Sequence, residues 1–261
     1  MINRISSNNY NPNFGSEKRT NMTPKQKAVV LASSALGMTP VLAVLAKRKG
    51  FSLNPKRIFN TPIKDWALFK YTPDSKSIEY GAVPIIATAT GSVLGGYAGG
   101  VLVDDKANKR AKKREILNQI LGNVIVPVGC VWAGSEVYNK FANRIKKAMP
   151  QLKETGKYTR IANKCLRNLP QAAATLASLA VGIFCGNKVS NYINEKVYNR
   201  KVDRNIRATD FAPHVDDLCM ATSMMNKNST LGAKIGRVIP FALLVPGYQT
   251  GIAQENTEQL L

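Results

Sequence analysis

The sequence predicts an all-α fold: a helical membrane protein with four or five apolar segments and basic amphipathic connecting helices. Three observations predict it. First, five stretches contain no Asp, Glu, Lys or Arg: Ala28–Ala46, Tyr80–Val103, Ile116–Ser135, Asn168–Asn187 and Val238–Gln254, of 19, 24, 20, 20 and 17 residues. A helix of about 20 residues crosses the ~30 Å hydrocarbon core of a bilayer. Second, the 261-residue chain has a net charge of +21, and its 37 Lys and Arg residues all lie between or outside these stretches. Third, glycines recur every four residues inside the second stretch, a spacing that lets two helix backbones meet closely. A soluble bundle of Ala- and Gly-rich buried helices is the competing architecture.

Residues 1–27 form a polar, Asn-rich leader with a turn-like Asn11-Pro12-Asn13-Phe14-Gly15, and disorder is expected there. Residues 28–208 form the membrane helical core with its basic loops. Residues 209–261 form a C-terminal helical segment with a possible fifth span. The first apolar segment carries Pro40 near its centre, and the third carries Pro127. Each proline is read as a tolerated kink, with a re-entrant hairpin as the alternative. Cleavage after Ala46, as in a signal peptide, is disfavoured by the long charged leader. Thr61–Tyr71, with Trp66 and Tyr71, suits a headgroup layer. The last segment is the shortest and carries Pro240 and Pro246, so the number of spans is four or five. If every segment crosses, 20 Lys and Arg collect on one side and 17 on the other. Such a balance assigns no orientation.

In the second segment Gly91, Gly95 and Gly99 make one stripe on a helix, and Gly96 and Gly100 make a second one step round. Gly182 and Gly186 repeat the spacing in the fourth segment. The expected use is packing between helices of one chain, with homo-oligomerisation through the stripe as a second possibility. A phosphate-binding loop is not expected, since neither GxGxxG nor GK[ST] occurs.

Residues 137–149 place Val137, Tyr138, Phe141, Ile145, Ala148 and Met149 on one helical arc, with Lys140, Arg144, Lys146 and Lys147 outside it. Pro150 should end this helix. A second one follows Gly156: Tyr158, Ile161, Ala162, Cys165, Leu166 and Leu169 line one face, and Lys157, Arg160, Lys164 and Arg167 line the other. Two basic amphipathic helices beside membrane segments fit helices lying on an anionic leaflet. The predicted lipid contacts are Lys140, Arg144, Lys147, Lys157, Arg160, Lys164 and Arg167. The expected partner is therefore a bilayer with anionic headgroups. Nucleic acid is not favoured, because no helix-turn-helix, RRM or finger pattern appears.

Chemistry finds little purchase. The four cysteines lack zinc-site spacing, and the single histidine, His214, excludes a multi-His metal site within one chain. Asp210-Phe211-Ala212-Pro213-His214-Val215-Asp216-Asp217 is the one cluster of acid and imidazole groups. An enzyme using His214, Asp216 and Asp217 is the remote reading, and a helix start is the plain one. No catalytic residue, cofactor or metal ligand is assigned. Asn123, Gln119 and Gln171 read as polar glue between helices. Asp104 and Asp105 read as local balance for the bases that follow.

The Asn-Pro-Asn-Phe-Gly leader, the Gly91–Gly100 stripe and Ala212-Pro213-His214-Val215-Asp216-Asp217-Leu218-Cys219 resemble uncharacterised bacterial multi-pass membrane proteins with a glycine-zipper segment. The resemblance runs over most of the chain. It implies a bacterial inner-membrane placement and no known activity. The expectation is thus a structural or scaffold membrane protein, with a small-solute channel or transporter as the alternative.

Overall fold

The computed structural model describes residues 22–62, 65–66, 81–153, 156–199, 206, 210–211, 214 and 239–255. The leader up to residue 21, most of Thr61–Tyr71, and Asp216, Asp217 and Cys219 lie outside them. Every regular element among the described residues is helical.

Helix α1 (Pro24–Arg48) starts before its charge-free stretch because Thr23 and Gln26 cap one another. The Gln26 amide donates to Thr23 Oγ1, the Thr23 amide donates to Gln26 Oε1, and Pro24 opens the first turn. The helix runs through Pro40 without a turn. A short α2 (Pro55–Asn60) follows, capped by Asn54. Helix α3 (Ala82–Val103) matches the second apolar stretch and stops at Asp104. A 3-10 turn at Lys106–Asn108 leads into α4 (Lys109–Leu117). The chain then widens into a π-helix at Asn118–Ile125 and narrows again into α5 (Val126–Ala148). Helix α6 (Lys157–Lys196) is 40 residues long and passes through Pro170. Two short helices, α7 (Ile239–Ala242) and α8 (Leu244–Ile252), close the described chain.

Four helical stretches are long and apolar enough to cross a membrane: Pro24–Arg48, Ala82–Val103, Lys106–Ala148 and Lys157–Lys196. The chain is a multi-pass membrane protein by this criterion. The outward faces agree. Leu36, Leu94, Trp132, Val181 and Phe184 are all exposed on the spans. Such side chains facing outward in numbers suit a hydrocarbon surround rather than water.

The fifth apolar stretch is not a helix of spanning length. α7 and α8 together reach about 20 Å, broken at Leu243. Its course also differs from a span. The Gln26 side chain donates to Val103 O, so the start of α1 meets the end of α3. Asn118 Nδ2 donates to Asn194 Oδ1 over 3.4 Å, which brings the end of α6 to the same face. Gly251 O and Ala253 O both accept from Lys112 there. Residues 199 and 253 therefore share one face, here the N-terminal face, and α7–α8 returns to it from the interior. The opposite side is the hairpin face.

The connecting helices differ from expectation as well. The basic stretch 137–148 is the continuation of α5, and 157–167 is the beginning of α6. α5 runs through Gly134 and Ser135, and α6 through Pro170, without a break in the helix. The two form a helical hairpin whose turn is fastened by Asn163, which bonds both the amide and the carbonyl of Leu152. Val137, Phe141, Tyr158 and Ile161 are exposed on it.

Glycine sets the helix spacing. A Cβ on Gly91 would lie 2.5 Å from Gly37 O, and one on Gly95 would meet Ser33 O and Gly37. A Cβ on Gly99 would meet the Ser33 side chain. That stripe of α3 therefore abuts α1. The second stripe abuts α8: a Cβ on Gly96 would strike the Gly247 carbonyl, and one on Gly100 the Gly251 backbone. On the other side of the bundle Gly186 of α6 meets Gly122, and Gly182 meets Pro127 and Cys130. Both stripes of α3 thus face the chain's own helices. Met38, Ile85, Ala89, Val124, Val128, Ile239 and Leu243 form the apolar cluster that joins the two halves.

Candidate functional site

The described residues bring buried polar groups together along one line, from the N-terminal face into the interior. At the face stands Lys112, in a run of bases that reads as a solvated surface. The structure buries it completely. Its ammonium donates to Asp104 Oδ2 at 2.7 Å, Gly251 O at 2.6 Å and Ala253 O at 2.9 Å. An ammonium carries three protons, so these three acceptors match its capacity. The contacts fasten α4 to the end of α3 and to the end of α8. Beside it Arg114 pairs with Glu255 at 3.4 Å, and the Glu255 amide donates to Asn108 Oδ1.

Asp104 and Asp105 have separate tasks. Asp105 caps the 3-10 turn by accepting from the Ala107 amide. Asp104 accepts from Lys112, from the Asp105 amide and from Asn108 Nδ2. Burial pushes its carboxyl up, but the Lys112 ammonium, the Asp105 amide and the Asn108 amide outweigh that and hold it below the ordinary 3.8. A carboxyl so depressed adds stability that is fully present above its unfolded value and is lost as pH falls through its folded one. Thermal stability in detergent should therefore owe no pH dependence to Asp104 between about pH 8 and pH 5, and should fall below about pH 4. Asp104→Asn should lower the plateau and flatten the acid limb.

Deeper in, Glu115, Gln119 and Asn123 follow one another at four-residue spacing. Gln119 Nε2 donates to Glu115 Oε1 and to Gln249 Oε1, both at 2.7 Å. Asn123 Nδ2 donates to Gln119 Oε1 at 2.9 Å and to Asp210 Oδ1 at 3.1 Å. His214 Nε2 lies 2.9 Å from the Asn123 carbonyl. A carbonyl only accepts, so Nε2 carries the proton in this contact. Pro127 explains why that carbonyl takes an outside donor. In an α-helix the amide four residues on would bond it, and proline has none. The π-helix that precedes Pro127 is the backbone's adjustment to the same residue.

Asn123, Gln119, Asp210 and His214 are all buried. The predicted cluster is therefore half present among the described residues: His214 joins Asp210 and Asn123, while Asp216 and Asp217 lie outside them. No group of three or more His, Cys, Asp or Glu side chains that could hold a metal occurs among the described residues. Cys130 and Cys185, distant in sequence, become neighbours across α5 and α6 as free thiols. The seven hairpin cations, Lys140, Arg144, Lys147, Lys157, Arg160, Lys164 and Arg167, are all exposed.

Sequence reasoning placed Gln119 and Asn123 as helix glue, and they do bond other elements. It missed Lys112, whose partners lie 139 and 141 residues further on. It also missed Asp210 as the group that meets Asn123. No protein-family model, curated protein or solved structure matches the chain.

Proposed function

We propose that the chain is a structural element of a bacterial inner membrane, a scaffold that grips anionic lipid through its cationic hairpin. The observation that carries this reading is the continuity of α5 and α6 past their apolar segments, with seven exposed cations on the extension. The headgroup layer adds about 5–8 Å beyond the hydrocarbon core on each side. At about 1.5 Å per residue, Lys140, Lys164 and Arg167 fall within that layer. Arg144, Lys147, Lys157 and Arg160 stand about 12–18 Å out. The inner three are therefore the principal lipid contacts, each worth about 1 kcal/mol near an anionic surface.

The test is thermal unfolding of the detergent-solubilised protein with added phosphatidylglycerol or phosphatidylcholine. Phosphatidylglycerol should raise the midpoint and phosphatidylcholine should not. Replacing Lys140, Lys164 and Arg167 together by Gln should remove most of the difference, and replacing the outer four should remove less. Equal stabilisation by the two lipids overturns the proposal. A channel or transporter has less support, because the Met38–Leu243 apolar cluster fills the bundle between the polar line and the hairpin face.

A further inference from the structure

We infer that the seam between the π-helix and the end of α6 is a binding site for water, held by Asn118 and Ser190 near the N-terminal face. Both side chains are buried, Asn118 at 4% and Ser190 at 0% exposure. Among the described residues, neither Asn118 Oδ1 nor Ser190 Oγ has a hydrogen-bond partner. Buried polar atoms in folded proteins are paired with protein or with ordered water, because an unpaired one keeps its full desolvation penalty.

The two oxygens belong to adjoining rungs of one ladder. Asn118 Nδ2 donates to Asn194 Oδ1 over 3.4 Å. Four residues further along the π-helix, a Cβ on Gly122 would strike Ser190 Oγ and lie 2.9 Å from Gly186 O. Asn118 therefore stands opposite Asn194, and Gly122 stands opposite Ser190 one turn deeper. The missing side chain at Gly122 is what lets the Ser190 hydroxyl turn toward the π-helix. Ser34, Thr39, Thr175 and Thr250 instead return their hydroxyls to the carbonyl four residues back. Turning the Asn118 amide over offers no remedy. It would set Oδ1 against Asn194 Oδ1, and two acceptors make no bond.

The depth suits water. Asn118 is the third residue of the charge-free stretch Ile116–Ser135, and Ser190 and Asn194 lie beyond Asn187, where the fourth stretch ends. The seam thus sits where the apolar segments begin and end. Further in, Gly186 of α6 and Gly122 place backbone against backbone, which closes the seam toward the interior.

Hydrogen bonding decides the ligand. Asn118 Oδ1 only accepts, whereas the Ser190 hydroxyl needs an acceptor for its own proton. A water molecule donates to the first and accepts from the second, and two to four polar partners are what a buried water requires. A metal ion would meet the amide oxygen but supply no acceptor for the hydroxyl proton. It would also bring a full charge that an amide and a hydroxyl do not neutralise. Water is therefore the occupant that satisfies both groups.

The test is a crystal structure of the full chain grown from lipid, at a resolution that shows ordered water, with rubidium chloride in place of sodium chloride. A peak should stand about 2.7–3.2 Å from both Asn118 Oδ1 and Ser190 Oγ and carry no rubidium anomalous signal. An anomalous peak there overturns water in favour of a monovalent cation. Ser190 Oγ bonded to Gly186 O, with no peak beside Asn118 Oδ1, overturns the site. Unfolding in one detergent gives a second readout. Asn118→Leu and Ser190→Ala should each lower the midpoint, and together they should lose less than the sum, since the first loss already strands the shared water. Additive losses overturn a shared water. These readouts do not depend on the lipid-dependent midpoints, so the hydrated seam and the lipid-gripping hairpin stand or fall separately.

Discussion

Lys112→Met should destabilise the protein by roughly 3–5 kcal/mol, the cost of removing one partner from a buried ion pair. Methionine matches the length of the side chain, so the loss is not one of packing volume. It is the loss of an ammonium that satisfies three acceptors at once. The Asp104 carboxylate, 8% exposed, is left without its counter-ion. The carbonyls of Gly251 and Ala253 are left without a donor, and each unsatisfied buried group costs about 1–3 kcal/mol. Asp104→Asn in the Lys112→Met background should recover part of the loss by removing the stranded charge. The pair would then show a coupling of at least about 1 kcal/mol in a double-mutant cycle. Thermal or denaturant unfolding of all four proteins in one detergent measures it. Additive losses would mean that Lys112 acts on the α8 carbonyls alone. The effect matters beyond stability, because the same ammonium pins the end of α8. A weakened clamp should expose Glu255 and the lane behind it to modifying reagents before the bundle unfolds.

How much of this was legible in the sequence depends on the range of the interaction that sets each feature. Charge-free length is local, and it placed α3 to within two residues and located the other spans. It failed on Val238–Gln254 because freedom from charge does not make a helix continuous. Pro240 lies in one short helix and Pro246 in the next, and the chain breaks between them at Leu243. It also hid the hairpin. The change from apolar to amphipathic sequence at Ser135 reads as an element boundary, yet α5 runs through Gly134 and Ser135 and continues to Ala148. Pro170 was as uninformative inside α6, where the helix tolerates it.

The candidate site was legible only in its parts. Asn123 and Gln119 were visible as polar residues in an apolar segment, and His214 as the single imidazole. Their union depends on a carbonyl that Pro127 leaves without its ordinary donor, filled by a residue 91 positions away. Lys112 stood in the densest basic run of the chain. Nothing local marks which of those cations turns inward, since that is decided by where the α8 backbone ends.

Gly96→Leu should be the most damaging single substitution among the α3 glycines, and Gly129→Ala should be harmless. The contrast follows from what each new side chain meets. A Cβ at Gly96 would lie on the Gly247 carbonyl oxygen, with the carbonyl carbon at 2.5 Å and Ser34 Oγ at 2.8 Å. The obstruction is backbone on one side and a buried hydroxyl on the other, so no rotamer change relieves it. Ser34 is itself held to Val30 O at 2.9 Å. Overpacking of this kind costs roughly 1–3 kcal/mol where side chains can yield, and rigid backbone puts Gly96 at or above the upper end. α8 would have to withdraw, and with it the Gly251 and Ala253 carbonyls that hold Lys112. The glycine contact and the ammonium clamp therefore fail together, and Gly96→Leu combined with Lys112→Met should cost less than the sum of the two. Gly129 lies within a span of equal apolarity but has no atom within 4 Å of a built Cβ. Alanine there gains up to about 1 kcal/mol of helix propensity and meets no neighbour. The measurement is the unfolding midpoint of each variant in one detergent. A loss at Gly129 equal to that at Gly96 would mean that the small residues are needed for a surface outside this bundle, and the internal packing of α3 against α8 would be the wrong account of them.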